Sequence, residues 1–265
     1  MKILVMGAGY VGMALLPHLH AHEIYLTTTS ENKLTHLKTY SQHVLLLNSD
    51  KQGLKEMIED CDAMVILIAP KNGMDYETTY LHTAKLVRSL LEKRKKPLYL
   101  LYTSSTSVYE AIEEEWATED LVLKPQSSNA KILLEAEKEY LTHSTTCILR
   151  LSGIYGPQRE IIERAKRLSG RAISGNQPTN HIHLEDIIAA IIFCLEKRLT
   201  GIYNLANKDH PSRQSLYTSL CNALHIPPPN WELDELGNKK SAYKVASHKI
   251  EAAGFSFSHP HLNLL

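Results

Sequence analysis

The sequence predicts an α/β fold: a doubly wound parallel sheet with helices on both faces and a small C-terminal capping region. Three observations carry this expectation. Apolar, β-rich runs recur along the chain with helix-patterned segments between them, the alternation of βαβ units. The runs are almost continuously apolar, as in strands covered on both faces. The first of them, Lys2-Ile3-Leu4-Val5-Met6, leads directly into Gly7-Ala8-Gly9-Tyr10-Val11-Gly12, a G-x-G-x-x-G spacing that opens a helix.

In chain order, strands are expected at 2–6, 23–28, 43–47, 63–68, 97–102, 146–151 and 201–205. Helices are expected near 11–21, 31–40, 51–60, 75–94, 129–142, 158–169 and 184–198. The last has Ile187, Ile188, Ile191, Ile192 and Leu195 at spacings of three and four, one broad apolar face that reads as core. Pro227-Pro228-Pro229 breaks any regular element and suggests an irregular C-terminal cap. The expected division is 1–157 plus 184–206 for the sheet domain, and 158–183 plus 207–265 for the cap.

A chain of 265 residues, 43% hydrophobic, can bury one large core or a core and a cap. Lys plus Arg equals Asp plus Glu at 29 each, so no global field favours nucleic acid or an anionic membrane. The longest apolar stretches are strand-sized and no secretory leader is evident, so the expected location is cytoplasmic. Lys85, Arg88, Lys93, Arg94, Lys95 and Lys96 read as a solvated helix end without the interleaved aromatics of a nucleic-acid surface.

Cys61, Cys147, Cys194 and Cys221 lack any C-x-x-C spacing and read as reduced core residues. Of the fourteen histidines, His18 and His22 are four apart on one helix and His181 and His183 are close in sequence. No Cys, Asp or Glu completes a shell around either pair, so no metal is expected.

Each motif glycine has a physical role in a dinucleotide loop. Gly7 makes the strand-to-helix turn, Gly9 lets backbone approach a pyrophosphate and Gly12 lets helix pack on strand. Gly7, Ala8, Gly9, Tyr10, Val11 and Gly12 are therefore expected to cradle a dinucleotide at the start of the helix. Ligands of doubly wound sheets lie beyond the carboxyl ends of the strands. Here those ends carry Thr28 to Ser30, Asn48 to Asp50, Ala69-Pro70, Thr103 to Ser107 and Ser152 to Pro157. Ala69 and Pro70 are small enough to let a ribose or adenine lie close, and Thr103 adds a hydroxyl. The second strand ends in Thr29-Ser30 instead of the acid that usually holds the ribose hydroxyls of NAD. With Lys33 nearby, Thr29 and Ser30 favour NADP, with NAD the alternative because a one-residue shift restores Glu31. Ser30 is also placed to cap the following helix.

Five segments together resemble the NAD-dependent epimerase/dehydratase family, of the extended short-chain dehydrogenase/reductase type, a Rossmann fold. They are the glycine motif, Thr103-Ser104-Ser105-Thr106-Ser107-Val108-Tyr109, Pro125-Gln126-Ser127-Ser128-Asn129, Leu149 to Pro157, and His181-Ile182-His183-Leu184-Glu185-Asp186-Ile187. The tail from Tyr243 to Ser247 and from Ala253 to Pro260 is similar to the family's closing stretch. The resemblance implies hydride exchange with a nicotinamide, aided by a Tyr-x-x-x-Lys pair and a Ser or Thr. The lysine's charge lowers the phenol's pKa so that it can shuttle a proton near neutral pH.

Matched onto this chain, the Ser/Thr position is Ser105, but the tyrosine position is Asn129, the lysine position is Leu133, and a following glutamate matches Glu137. A register moved by two aligns Ser127, Lys131 and Glu135, at the cost of the spacing from Pro125 and with a short hydroxyl suited to capping. Tyr102, Tyr109 and Tyr155 lie near strand ends; alternation turns Tyr102 toward a helix layer, leaving Tyr109 the better substitute phenol. Where the family's backbone contacts the nicotinamide amide, this chain has Ser152 and Ile154. Asp186 sits at a helix start, complementing its dipole.

The expected activity is that of an atypical oxidoreductase or epimerase-like enzyme on a small carbonyl or sugar-type substrate, with Ser105 and Tyr109 as candidate catalytic residues. The alternative is a non-catalytic NAD(P)-sensing protein. The helices near 75–94 and 129–142 suit the homodimer common in the resembling family.

Overall fold

The computed structural model describes residues 1–47, 51–70, 75–110, 112, 115–232 and 242–262. Its central sheet has seven strands, in the spatial order Gly201–Leu205, Thr146–Leu151, Tyr99–Ser105, Ala63–Ile66, Lys2–Met6, Glu23–Thr28, His43–Leu46. The first strand pairs in parallel with both the second and the fourth, Val5 lying opposite Leu26 on one side and Val65 on the other. Strand order therefore reverses beside the first strand, the topological switch point where doubly wound sheets bind ligands.

The chain divides into two compact units, Met1–Ser104 with Ser127–Leu149 and Ile188–Ile202, and Ser105–Gln126 with Arg150–Ile187 and Tyr203–Leu265. Three of the divisions fall within sheet strands, at Ser104, Leu149 and Ile202.

In the first unit the apolar runs are strands because both faces are covered. Leu4, Met64, Leu100 and Ile148 are each essentially inaccessible and pack with Val87 and Ala136 from helices. Each such aliphatic side chain contributes about 1.5–3 kcal/mol by leaving water. Tyr102 does face a helix layer, its ring 4.5 Å from that of Tyr140. The helices differ from the expected ones in their ends and winding. The first is α-helical over Tyr10–Leu15 and tightens to a 3₁₀ turn over Leu16–Leu19, where Pro17 occupies its opening turn. The segment expected as one helix over 75–94 begins as a π-helix, Glu77–His82, and becomes α-helical over Thr83–Leu91. The expected helix over 31–40 is a 3₁₀ turn, Glu31–Lys33, followed by a single α turn, Leu34–Leu37.

In the second unit the expectation of an irregular cap needs correction. Arg213–Ala223 is a helix, capped by Ser212, whose hydroxyl accepts from the Ser215 amide at 3.0 Å. Its buried Leu216, Tyr217 and Leu220 pack with Tyr155, Ile161 and Ala165. His225, with φ 55°, lies just beyond that helix, ahead of the three prolines. Three two-stranded parallel ladders join Gly153–Tyr155 to His181–His183, Ala172–Ser174 to Asn230–Glu232, and Trp116–Ala117 to Lys244–Val245. All four cysteines are buried and free. No helix among the described residues is long and apolar enough to cross a membrane.

Candidate functional site

The glycine loop lies at the switch point of the sheet. Gly7 has φ 106°, a conformation that L side chains rarely adopt, and a Cβ there would come within 2.7 Å of the Leu67 carbonyl oxygen. The Leu67 amide in turn donates to the Met6 carbonyl at 2.8 Å, so the ends of the first and fourth strands are drawn together. A Cβ on Gly12 would collide with the Gly7 carbonyl oxygen. Gly9 is different: it is exposed, and a Cβ there would meet nothing within 4 Å. Two glycines thus close the turn and the third presents bare backbone to open space, which is the division of labour a pyrophosphate cradle needs. Ala8 is buried beneath the loop, while Tyr10 and Val11 start the helix half-exposed.

Lys33 reaches this loop. Its ammonium donates to the Ala8 carbonyl at 2.8 Å, placing a positive charge beside the cradle. Ser30 occupies the N-cap position of the turn that follows, but its hydroxyl makes no capping hydrogen bond; its amide donates to the Thr28 hydroxyl instead. The capping role expected for that side chain is therefore not what it does. Thr29 is exposed, as is Ala69, while Pro70 is half-exposed. The Thr103 hydroxyl is engaged within the sheet, donating to the Ile66 carbonyl at 3.2 Å. Asn48 to Asp50 lie outside the described residues.

Also in the first unit, the helix Ser128–Leu141 shows what became of the proton-shuttling pair. Asn129 is exposed in its first turn, while Leu133 is 2% and Glu137 1% exposed. The position where the family places a lysine is thus apolar and packed. Lys131 does not substitute, because two residues turn it about 200° around the helix from Asn129, and it is exposed. Ser127 caps the helix, its hydroxyl accepting from the Ala130 amide at 3.2 Å.

Ser105, Tyr109, Ser152 and Ile154 belong to the second unit. Ser105 ends the fifth strand half-buried, and its oxygen accepts from the Ser107 amide at 3.2 Å. That bond uses a lone pair and leaves the hydroxyl proton available to a ligand. Tyr109 is fully buried. Its hydroxyl donates to Asn204 Oδ1 at 2.8 Å and accepts from Arg150 Nη1 at 2.8 Å, with the guanidinium 4.9 Å from the ring centre. Burial pushes the phenol's pKa up despite Arg150. This is the setting of a packed tyrosine with both hydrogen-bonding roles filled, not of a proton donor facing a ligand. Ser152 is 4% exposed, and its hydroxyl is buried without a hydrogen-bond partner, an orphaned polar atom at a strand end. Ile154 pairs with Ile182 in the ladder that follows.

His181 is buried, and desolvation, with Arg164 and His210 adding to it, pulls its pKa down to about 4. His183, its pKa also lowered by burial and by His259, stacks on His259 with ring centres 3.8 Å apart. Asp186, fully buried, does more than complement a helix dipole: it accepts from the amides of Ser258 at 2.7 Å and His259 at 3.1 Å. The sequence reading missed His259 and Glu185 as neighbours of His183. Nothing local signals the first, which lies far along the chain.

Comparison with known proteins agrees with this geometry. The profile of the NAD-dependent epimerase/dehydratase family matches residues 3–206. Protein YeeZ of Escherichia coli K12 is 28% identical over 98% of this chain and 96% of its own length. An epimerase family protein of Staphylococcus haemolyticus is 23% identical over 97% of this chain and 95% of its own. Among solved structures, the dTDP-glucose 4,6-dehydratase of Bacillus anthracis, in complex with NAD, shares the fold with a TM-score of 0.79 at 17% identity, covering 98% of this chain and 92% of that one. With the glycine cradle at the switch point and this match over most of its length, the chain belongs to the NAD-dependent epimerase/dehydratase family.

Proposed function

We propose that the protein binds a nicotinamide dinucleotide, with NADP preferred over NAD, and acts as an atypical oxidoreductase or epimerase-like enzyme on a small carbonyl or sugar-type substrate. The observation that carries this is the glycine loop, closed on Leu67 at Gly7 and open over Gly9. The residues present fit the group: Gly7 and Gly12 have no room for a Cβ and hold the turn closed, while Gly9 leaves open space where backbone can approach a pyrophosphate. Lys33 beside Ala8, with Thr29 and Ser30 at the end of the second strand, supports a 2′-phosphate over a bare ribose.

When bound, the nicotinamide supplies hydride exchange. Ser105 holds the reacting oxygen, its proton free because its lone pair already takes the Ser107 amide. Asn129 has no titratable proton and Leu133 no charge, so the proton that accompanies the hydride comes from water or a substrate hydroxyl. Loss of a positioned acid or base costs about 10²- to 10⁴-fold in rate, so turnover slow by family standards is expected. Tyr109 takes no part.

The test is purified protein with NADPH and a panel of small carbonyls and sugars. Cofactor oxidation that is lost in Ser105→Ala supports the reading. Cofactor binding without turnover on any substrate, together with wild-type cellular function of Ser105→Ala, supports the second reading, a non-catalytic NAD(P) sensor, which the exposed Asn129 and buried Leu133 favour. We further propose a homodimer through the helices Thr83–Leu91 and Ser128–Leu141, which light scattering would test.

A further inference from the structure

We propose that His183, Glu185 and His259 form a binding site for one divalent transition ion of the zinc class. One ligand atom from each lies within 4.8 Å of those of the other two. Two imidazoles and a carboxylate are a donor set that zinc takes, with a fourth position left to water.

The three are held by separate parts of the fold. His183 ends the strand His181–His183, in register with Tyr155. Glu185 follows in the first turn of the helix Leu184–Lys197. His259 is fixed through its backbone, whose amide donates to the buried Asp186 carboxylate. The same carboxylate lies 3.7 Å from His259 Nδ1, which is buried and makes no hydrogen bond, while Nε2 faces the Glu185 carboxylate at 3.5 Å. A carboxylate behind one ring nitrogen is the usual way a ligating histidine is oriented.

Coordination at about 2.0–2.1 Å requires the cluster to contract, which the exposed Glu185 side chain allows by changing rotamer. The hydrogen bond a metal would disturb is the long one from the Glu185 amide to His183 Nδ1, at 3.3 Å. An ion here ties the segment around Ser258 and His259 to the strand that ends in His183.

The experiment is calorimetric titration of the chelator-stripped 265-residue chain with Zn²⁺, repeated with Co²⁺ while following visible absorption. One ion per chain is expected. Glu185→Gln and His183→Ala should each weaken it by about tenfold or more, a loss of at least about 1.4 kcal/mol. Glu185→Gln changes an exposed side chain, so its effect is not one of unfolding. Because the chain has fourteen histidines, His18→Ala with His22→Ala serves as the control and should leave the isotherm unchanged. Absence of saturable binding, or a wild-type isotherm in either Glu185→Gln or His183→Ala, overturns the proposal. Neither result bears on the nicotinamide reading, which no step of this experiment uses.

Discussion

Arg150 donates to the hydroxyl of Tyr109 at 2.8 Å, and both side chains are almost wholly buried. The hydroxyl passes the interaction on to Asn204, whose amide nitrogen donates to the carbonyls of Ala117 and Ala246, each at 3.1 Å. Tyr109→Phe removes the middle of this relay. It should destabilise the protein by about 1–3 kcal/mol, the usual cost of taking one partner from a buried polar group, with cofactor affinity unchanged. Urea unfolding beside a cofactor titration checks this. Wild-type stability with lost turnover would instead make Tyr109 a catalytic phenol.

The three motif glycines should separate into two classes. Gly7→Ala and Gly12→Ala should lower stability, the first by about 1–3 kcal/mol for its backbone conformation alone, with the contact to the Leu67 oxygen added. Gly9→Ala should leave stability within about 0.5 kcal/mol of wild type and weaken dinucleotide binding. Thermal melts and fluorescence titration with NADPH distinguish the classes, and a Gly9→Ala protein that binds NADPH normally would remove the pyrophosphate from that position.

Lys33→Ala should weaken NADPH binding by about tenfold, the equivalent of one charge-assisted hydrogen bond near 1.5 kcal/mol. NADH is the internal control. Because Lys33 also bonds the Ala8 carbonyl, some loss with both cofactors is expected, and the 2′-phosphate assignment stands only if the NADPH loss is the larger.

Stability should fall on the acid side through His181. Its folded-state pKa, about 4, is below the ordinary 6.5, so the unfolded chain takes up the proton first. The contribution is fully present above pH 6.5 and is lost as pH falls toward 4, amounting to at most about 3 kcal/mol. His181→Gln should flatten that part of the stability profile; an unchanged slope between these limits would assign the loss to other groups.

Much of the architecture was legible because the signals are local. The apolar runs around Leu4, Leu26, Val65 and Leu149 need only their own composition to be recognised as buried strands. The loop glycines likewise fall in one hexapeptide. What escaped depends on partners distant in sequence. Tyr109 looked like a phenol near a site until Asn204, 95 residues on, was seen to take its hydroxyl. The helix Arg213–Ala223 was hidden because its polar residues, Arg213 to Ser215, and the prolines beyond it dominate that stretch. Its apolar stripe has meaning only against Ile161 and Ala165.

The bond from the Ser258 amide to Asp186 spans 72 residues, and it orders events during synthesis. As the chain emerges, Asp186 is made long before its amide donors exist, so its carboxylate cannot be sequestered at full strength until the ribosome has translated beyond His259. A chain stopped short of that point leaves the Asp186 carboxylate without these two amide donors, so the unit it belongs to should be weaker by about 1–3 kcal/mol than the one that reaches beyond His259.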